Sequence, residues 1–135
     1  MRLGIDTTSY RNYRLSQADP LDPEPALGMG VTILGRASRR PGTVVELRTD
    51  AEKLIVIVQE DQVVSGVDAF ARHDGQVFDR DPAGRKHRFL RTKAGTWQCV
   101  RYDSRDKRWS PCGAASMKLD LREYFDSAVG DGDRR

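Results

Sequence analysis

Residues 85–109, RKHRFLRTKAGTWQCVRYDSRDKRW, hold the residue types that bind a polyanion. Up to Arg108 the stretch carries nine lysines and arginines against Asp103 and Asp106, a local net charge of +7 in a chain whose total is +3. Its aromatic rings are Phe89, Trp97, Tyr102 and Trp109. Cationic side chains neutralise phosphates, and aromatic rings stack on unpaired bases. The stretch therefore predicts a surface for nucleic acid or for an acidic protein.

The predicted contacts are phosphate-binding cations and one stacking ring. The cations are Arg85, Lys86, Arg88, Arg91, Lys93, Arg101, Arg105, Lys107 and Arg108. Trp97 is the predicted stacking ring, and the pair Tyr102 and Trp109 is the alternative. Two competing explanations need no ligand. The arginines could form a solvated face whose stems cover apolar surface, or they could pair with residues 49–84, whose net charge is −5.

Two hairpin turns determine which of these side chains share a face of the sheet. Two-residue turns at Ala94-Gly95 and Arg105-Asp106 would place on one face Phe89, Val100, Tyr102 and Trp109. The opposite face would hold Arg88, Trp97, Arg101, Cys99 and Cys112. Because arginine is rarely buried without a partner, we predict that the face with Phe89 is core and that Trp97 is partly exposed. A register slip of one residue would exchange the two faces.

A second, weaker anion site is predicted in GRASRRPG, residues 35–42, at Arg36, Arg39 and Arg40. Arginines and backbone N–H groups in a glycine-flanked loop can cradle a phosphate. The spacing matches neither the P-loop pattern nor GxGxxG, and an ordinary surface loop is the commoner explanation.

Neither metal nor enzymatic chemistry has a clear motif. Cys99 and Cys112 lie opposite each other in the predicted register, and we expect them to be reduced thiols. Zinc binding by these cysteines with His73 and His87 would lack the short spacings of structural zinc sites, so no metal and no cofactor is predicted. The carboxylates that could hold a metal for phosphodiester cleavage are Asp50, Glu52, Glu60, Asp61 and Asp68; solvated acids at turns are the commoner explanation.

The composition indicates one domain with a modest core. The 135 residues are 38% apolar and 32% charged, and 135 residues suffice for a single core. The sequence shows no apolar run of signal-peptide or membrane-span length. This predicts a soluble, cytoplasmic protein without a membrane partner.

The elements that would position the basic stretch are short antiparallel strands. Strands are predicted at Gly30–Leu34, Thr43–Arg48 and Lys53–Gln59, with turns at Asp74-Gly75 and 81–84. The predicted fold is β-rich α+β: an antiparallel meander forming a small half-open barrel or sandwich with a C-terminal helix.

Three segments make up the predicted domain organisation. Residues 1–28 would form a short strand, at Thr8–Leu15, and an arm rich in proline and aspartate; residues 29–130 would form the β-rich domain, and residues 131–135 a disordered tail. The C-terminal helix is predicted from helical spacing, with Ser116 as its cap and Gly130 at its end; the residues at that spacing are Met117, Leu121, Tyr124 and Ala128. Alternation of Met117, Leu119 and Leu121 leaves a strand open for the first part.

The leading functional hypothesis is a non-catalytic nucleic-acid-binding module that recognises single strands, or backbone and shape. The alternative is a protein-interaction or inhibitor module that docks on nucleic-acid-processing machinery, with an acidic surface of the partner protein as its binding site. A small hydrolase or nuclease using His73 or His87 is the third hypothesis.

Overall fold

The fold is built almost wholly from antiparallel strands. The computed structural model describes residues 7–65, 76–112 and 115–126. Helix α1 spans Thr7–Ser16. The strands are β1 (Gly30–Leu34), β2 (Ser38–Asp50), β3 (Lys53–Glu60), β4 (Gln62–Ser65), β5 (Val77–Asp79), β6 (Lys86–Arg91), β7 (Trp97–Asp103), β8 (Arg108–Pro111), β9 (Ser116–Leu119) and β10 (Phe125–Asp126).

One large sheet dominates the topology. Its strand order is β8-β7-β6-β3-β2-β1-β9, β10 pairs with the start of β2, and β4 and β5 form a separate two-stranded sheet. The predicted antiparallel, strand-rich fold is confirmed. The sheet is not closed, and its curvature into a half-open barrel or sandwich stays a prediction. No helix in the described parts of the chain is long and apolar enough to cross a membrane.

The hairpin of β2 and β3 carries the most apolar strand, as the β-branched run KLIVIVQ predicts. The strands join through Ala51 and Glu52, which adopt positive φ values of 51° and 67°. This is the conformation of a two-residue hairpin turn, occupied here without glycine. An irregularity between Val44 and Glu46 interrupts the register and allows the long strand β2 to bend.

The core lies on the side of the sheet that carries Phe89, called here the Phe89 face; the other side is the Arg88 face. Phe89 is fully buried between Val56 of β3 and Cys99 of β7. The buried cluster is Val31, Ile33, Val44, Val56, Val58, Phe89, Cys99, Met117 and Leu119. Three aliphatic residues are also buried on the Arg88 face: Ile55, Ile57 and Val100. They give that face a packed apolar floor beneath its charged residues.

The N-terminal segment differs from its prediction. Thr8–Leu15 lies within helix α1, so the predicted strand is wrong. Asn12 is buried, and its Nδ2 donates to the carbonyls of Gly35 and Ser38 at 2.9 and 3.0 Å. The helix thus satisfies carbonyl groups at the β1–β2 turn, a tertiary contact that the local pattern does not reveal.

The C-terminal segment contains strands where a helix was predicted. Met117 and Leu119 pair with Ile33 and Val31 of β1 and are buried with them. Their alternation therefore outweighs the helical spacing, because β1 offers an open strand edge and an apolar face. Residues 127–135, the end of the predicted helix and the tail, lie outside the described residues.

Of the two turns predicted between β3 and β6, that at residues 81–84 is confirmed. The Gly84 N–H donates to the Asp81 carbonyl at 2.9 Å, with Pro82 at the second position of the turn. The Asp74-Gly75 turn lies outside the described residues.

Residues 17–28, called here the acidic arm, pack against the Phe89 face. Glu24 pairs with Arg91 at 2.9 Å, and Asp22 pairs with Lys118 of β9. A cavity of about 450 Å³ lies between the arm and the sheet, lined in part by Trp97.

Candidate functional site

The β6–β7 hairpin has a register one residue away from the predicted one. Phe89 lies opposite Cys99, and Arg88 lies opposite Val100. The loop has three residues, 93–95, with Gly95 at a φ of 86° and the Thr92 and Thr96 hydroxyls 2.7 Å apart. A two-residue turn at Ala94-Gly95 is therefore wrong, because the glycine takes the left-handed position that a three-residue hairpin needs.

The β7–β8 hairpin has the predicted register, with Tyr102 opposite Trp109 and Asp103 opposite Arg108. The one-residue difference at β6 changes which residues share a side. By the alternation of β7, Trp97 and Arg101 lie on the Phe89 face, whereas Tyr102 and Trp109 lie with Arg88, so the predicted grouping of Arg101 with Arg88 is also wrong. The burial of Phe89 is confirmed, and its predicted grouping with Tyr102 and Trp109 is wrong.

An open groove of about 580 Å³ lies on the Arg88 face. Its lining residues on that face are Arg48, Asp50, Arg88, Tyr102 and Trp109, and Arg101, whose position in β7 belongs to the Phe89 face, also lines it. The indole Nε1 of Trp109 donates to Oδ2 of Asp50 at 2.7 Å, which joins the ends of two hairpins that are remote in sequence. The Tyr102 and Trp109 rings meet edge to face, 5.3 Å apart at 69°. Tyr102 is 49% exposed, so it offers ring surface to a ligand.

The groove has cations that the protein itself leaves available. Within residues 7–65, 76–112 and 115–126, Arg88 and Arg101 form no ion pair, whereas Arg48 pairs with the exposed Glu46 at 2.6 Å. Exposed pairs of that kind are weak, so Arg48 can exchange its partner for a phosphate. A neighbouring hollow of about 380 Å³ shares Arg101 and Tyr102 with the groove and extends toward Arg105.

Trp97, the predicted stacking ring, lies under the acidic arm. It is half-buried against the core cluster, and the Arg91 guanidinium covers its ring at 4.9 Å from the centroid. Arg91 is in turn paired with Glu24. The structure therefore favours the alternative stacking pair, Tyr102 and Trp109, over Trp97.

The other predicted cations lie elsewhere on strands β6 to β8, in the turns between them or just before β6. Lys86 is exposed on the Arg88 face, and Arg85 precedes β6. The remaining four, at or beside hairpin turns and all exposed, are Lys93, Arg105, Lys107 and Arg108. Arg108 lies 3.9 Å from Asp106. Of the nine predicted phosphate contacts, only Arg88 and Arg101 line the groove.

The second predicted anion site is only partly a loop, because of its three arginines only Arg36 lies in the β1–β2 turn. Arg39 and Arg40 belong to β2, where successive side chains point to opposite faces. Arg39 forms a largely buried ion pair with Glu123 at 3.3 Å and lies over the ring of Phe125. Because its charge already has this internal partner, a joint phosphate cradle with Arg36 and Arg40 is not supported.

His87 belongs to a structural pair rather than to the groove. Its Nε2 lies 2.6 Å from Oε2 of Glu60, and both side chains are largely buried. The hydrogen bond to His87 lowers the pKa of Glu60, burial opposes this shift, and the charges of Arg40 and Arg85 add to it. His87 lies on the Phe89 face, away from the groove, and His73 lies outside the described residues.

Cys99 and Cys112 lie opposite each other as free thiols, with their Sγ atoms 3.2 Å apart. Burial and the hydrogen bond with Cys112 raise the pKa of Cys99 to about 12. Cys112 is the more exposed of the two. Among the residues that the structure describes, no group of three or more metal-ligating side chains is found.

We expect oxidised glutathione to convert this pair into an intramolecular disulfide. The Cys112 thiolate attacks one sulfur and releases a glutathione thiol, and Cys99 then displaces the second glutathione as it loses its proton. Mass spectrometry should find a chain lighter by two hydrogens with no titratable thiol. Cys112→Ser should give at most a stable mixed disulfide. A wild-type protein that retains bound glutathione would contradict the expected geometry.

Sequence reasoning missed Arg48 and Asp50 as groove residues. They lie far from residues 85–109 in sequence, and the two central positions of their turn, Ala51 and Glu52, hold none of the residues that usually mark a hairpin. Comparison with known protein families, with curated proteins and with solved structures found no match.

Proposed function

We propose that the protein is a non-catalytic nucleic-acid-binding module and that its binding surface is the groove on the Arg88 face. The observation that carries the proposal is the exposed Tyr102 ring beside Arg88 and Arg101, neither of which has an ion-pair partner in the described ranges. Stacking surface and phosphate-binding charge are the two components of single-strand binding. An acidic small molecule would require the charge but not the exposed ring.

The shape of the site favours a single strand over a duplex. The rings lie in an open groove that continues into the hollow near Arg105. In a duplex the faces of the bases are covered by their neighbours, so that Tyr102 could reach only phosphates or base edges. In a single strand the base faces are accessible to the ring.

The ion-pair pattern leads to a salt-dependent prediction. Contact of about four phosphates, by Arg48, Lys86, Arg88 and Arg101, gives a slope of log K against log salt of about −2.8 on single strands. Combining Arg88→Ala with Arg101→Ala should flatten the slope by about 1.4. Fluorescence anisotropy with a labelled thymidine oligomer at several NaCl concentrations would measure both slopes.

The matched control combines Arg14→Ala with Arg80→Ala, which remove equal charge from exposed arginines outside the groove. The control should leave the slope nearly unchanged. An equal effect of both double variants, or a slope near zero, would contradict the assigned surface. Polyglutamate that competes as well as the oligomer would favour an acidic protein as the ligand instead.

A further inference from the structure

The carboxylate of Asp50 is an unexpected component of a groove that binds phosphates. It is one of the lining residues together with Arg48 and Arg88, and a negative charge there repels phosphate oxygens. Its Oδ2 accepts the Trp109 N–H at 2.7 Å. In the described parts of the chain, Oδ1 accepts no hydrogen bond. Since a carboxylate has about four acceptor positions, most of them have no donor within the described residues.

The aromatic pair connects this carboxylate to the stacking surface. Trp109 donates its indole N–H to Asp50 and contacts the Tyr102 ring with its own ring. A base stacked on the exposed Tyr102 ring therefore lies in the same groove as the free Oδ1 atom. The bases can be distinguished there by the hydrogen-bond donors on their edges.

An acidic acceptor selects the base with the most suitable donors. Guanine presents N1–H and the N2 amino group side by side on its Watson–Crick edge. Adenine and cytosine present a single amino group beside an acceptor, and the N3–H of thymine or uracil is flanked by two carbonyls. A carboxylate is attracted by guanine's paired donors and repelled by the neighbouring acceptors of the other bases.

We infer that Asp50 is a specificity-determining residue and that the groove prefers single-stranded nucleic acid with guanine at the stacking position. The inference rests on the proposed function, since it requires that a base binds at Tyr102. The residue that orients Asp50 is Trp109, through the hydrogen bond to Oδ2.

The test compares short thymidine oligomers that carry one central guanine, adenine, cytosine, inosine or 7-deazaguanine. The guanine oligomer should bind roughly 5- to 100-fold more tightly than the adenine oligomer, the range for loss of one good base contact. Inosine lacks the N2 amino group and should bind with intermediate affinity. The 7-deazaguanine oligomer keeps the Watson–Crick edge and should bind like guanine, which would exclude recognition of N7 by an arginine.

Asp50→Asn provides the second arm of the test. The asparagine carbonyl can still accept the Trp109 N–H, while the charge and one acceptor oxygen are lost, so the ratio of guanine to adenine affinity should approach one. Glu46→Gln is the matched control, because it removes a carboxylate from the same strand and face; it should preserve the ratio. Ratios are compared because loss of either carboxylate raises the affinity for every oligomer.

The outcomes distinguish this inference from the proposed function. Equal binding of all oligomers by the wild-type protein, or a guanine preference that survives Asp50→Asn, would overturn the inference and leave the proposed function standing. Failure to bind any oligomer would overturn both. If Asp50→Asn does not fold, the inosine and 7-deazaguanine series on the wild-type protein still tests recognition of the Watson–Crick edge of guanine, and equal binding of guanine and inosine would overturn the inference.

Discussion

Replacing Phe89 with alanine is expected to lower the free energy of unfolding by about 3–5 kcal/mol, the usual cost of removing a large core ring. Phe89 is 0% exposed, and its strand β6 lies between β3 and β7. The surrounding strands are fixed in one sheet and cannot collapse fully into the space left by the ring. Urea denaturation followed by circular dichroism would measure the loss.

Phe125→Ala is the matched control for this prediction. It makes the same chemical change at a ring that is 38% exposed and lies over Arg39. Its cost should be well below that of Phe89→Ala, since most of its area is not in the core. Equal costs would mean that the Phe89 face is not the main core.

Removal of the Tyr102 ring is expected to weaken oligonucleotide binding by roughly 1–3 kcal/mol, the range measured for single stacking contacts. Tyr102 is 49% exposed, so Tyr102→Ala should change the unfolding free energy far less than Phe89→Ala. Tyr102→Phe should bind almost normally, because it keeps the ring. Tyr13→Ala removes another exposed tyrosine, from α1, and should leave binding unchanged.

Trp97→Ala should have the opposite effects. Trp97 packs against the core cluster and under Arg91, so its removal should destabilise the protein and leave the affinity of the remaining folded fraction unchanged. Anisotropy titrations at a temperature below the unfolding midpoint of the variant would separate the loss of stability from any change in affinity. If Trp97→Ala weakens binding more than Tyr102→Ala, the stacking ring lies on the Phe89 face and the assigned groove is wrong.

Strands with strong local patterns could be predicted from the sequence. Gly30–Leu34 is a strand with the predicted bounds, and the apolar run from Lys53 lies at the centre of the sheet. The two terminal segments could not be predicted, because distant partners determine their conformation. Asn12 is positioned by carbonyls at the β1–β2 turn, and Met117 is positioned by the open edge of β1.

The site was predicted in its chemistry but not in its geometry. Gly95 fits either a two-residue or a three-residue hairpin loop. The difference of one residue in loop length decides whether Phe89 lies opposite Val100 or opposite Cys99. The composition of residues 85–109 does predict a surface that combines aromatic rings with cations. The sequence does not reveal that Tyr102 rather than Trp97 lines the groove, because that depends on the register of the sheet. It also does not reveal that Asp50, from the β2–β3 hairpin, lines the same groove, because that depends on tertiary structure.

The acidic arm acts as a tethered counterion for two cations of the large sheet. Through Asp22 and Glu24 it supplies Lys118 and Arg91 with carboxylates that belong to the same chain. A short tether holds such groups at an effective concentration of about millimolar, so a soluble polyanion must displace them before it can reach Arg91. Rising ionic strength weakens the exposed Glu24–Arg91 pair more than the partly buried Asp22–Lys118 pair. The protein thus supplies its own anions to Arg91 and Lys118, whereas Arg88 forms no ion pair in the described parts of the chain.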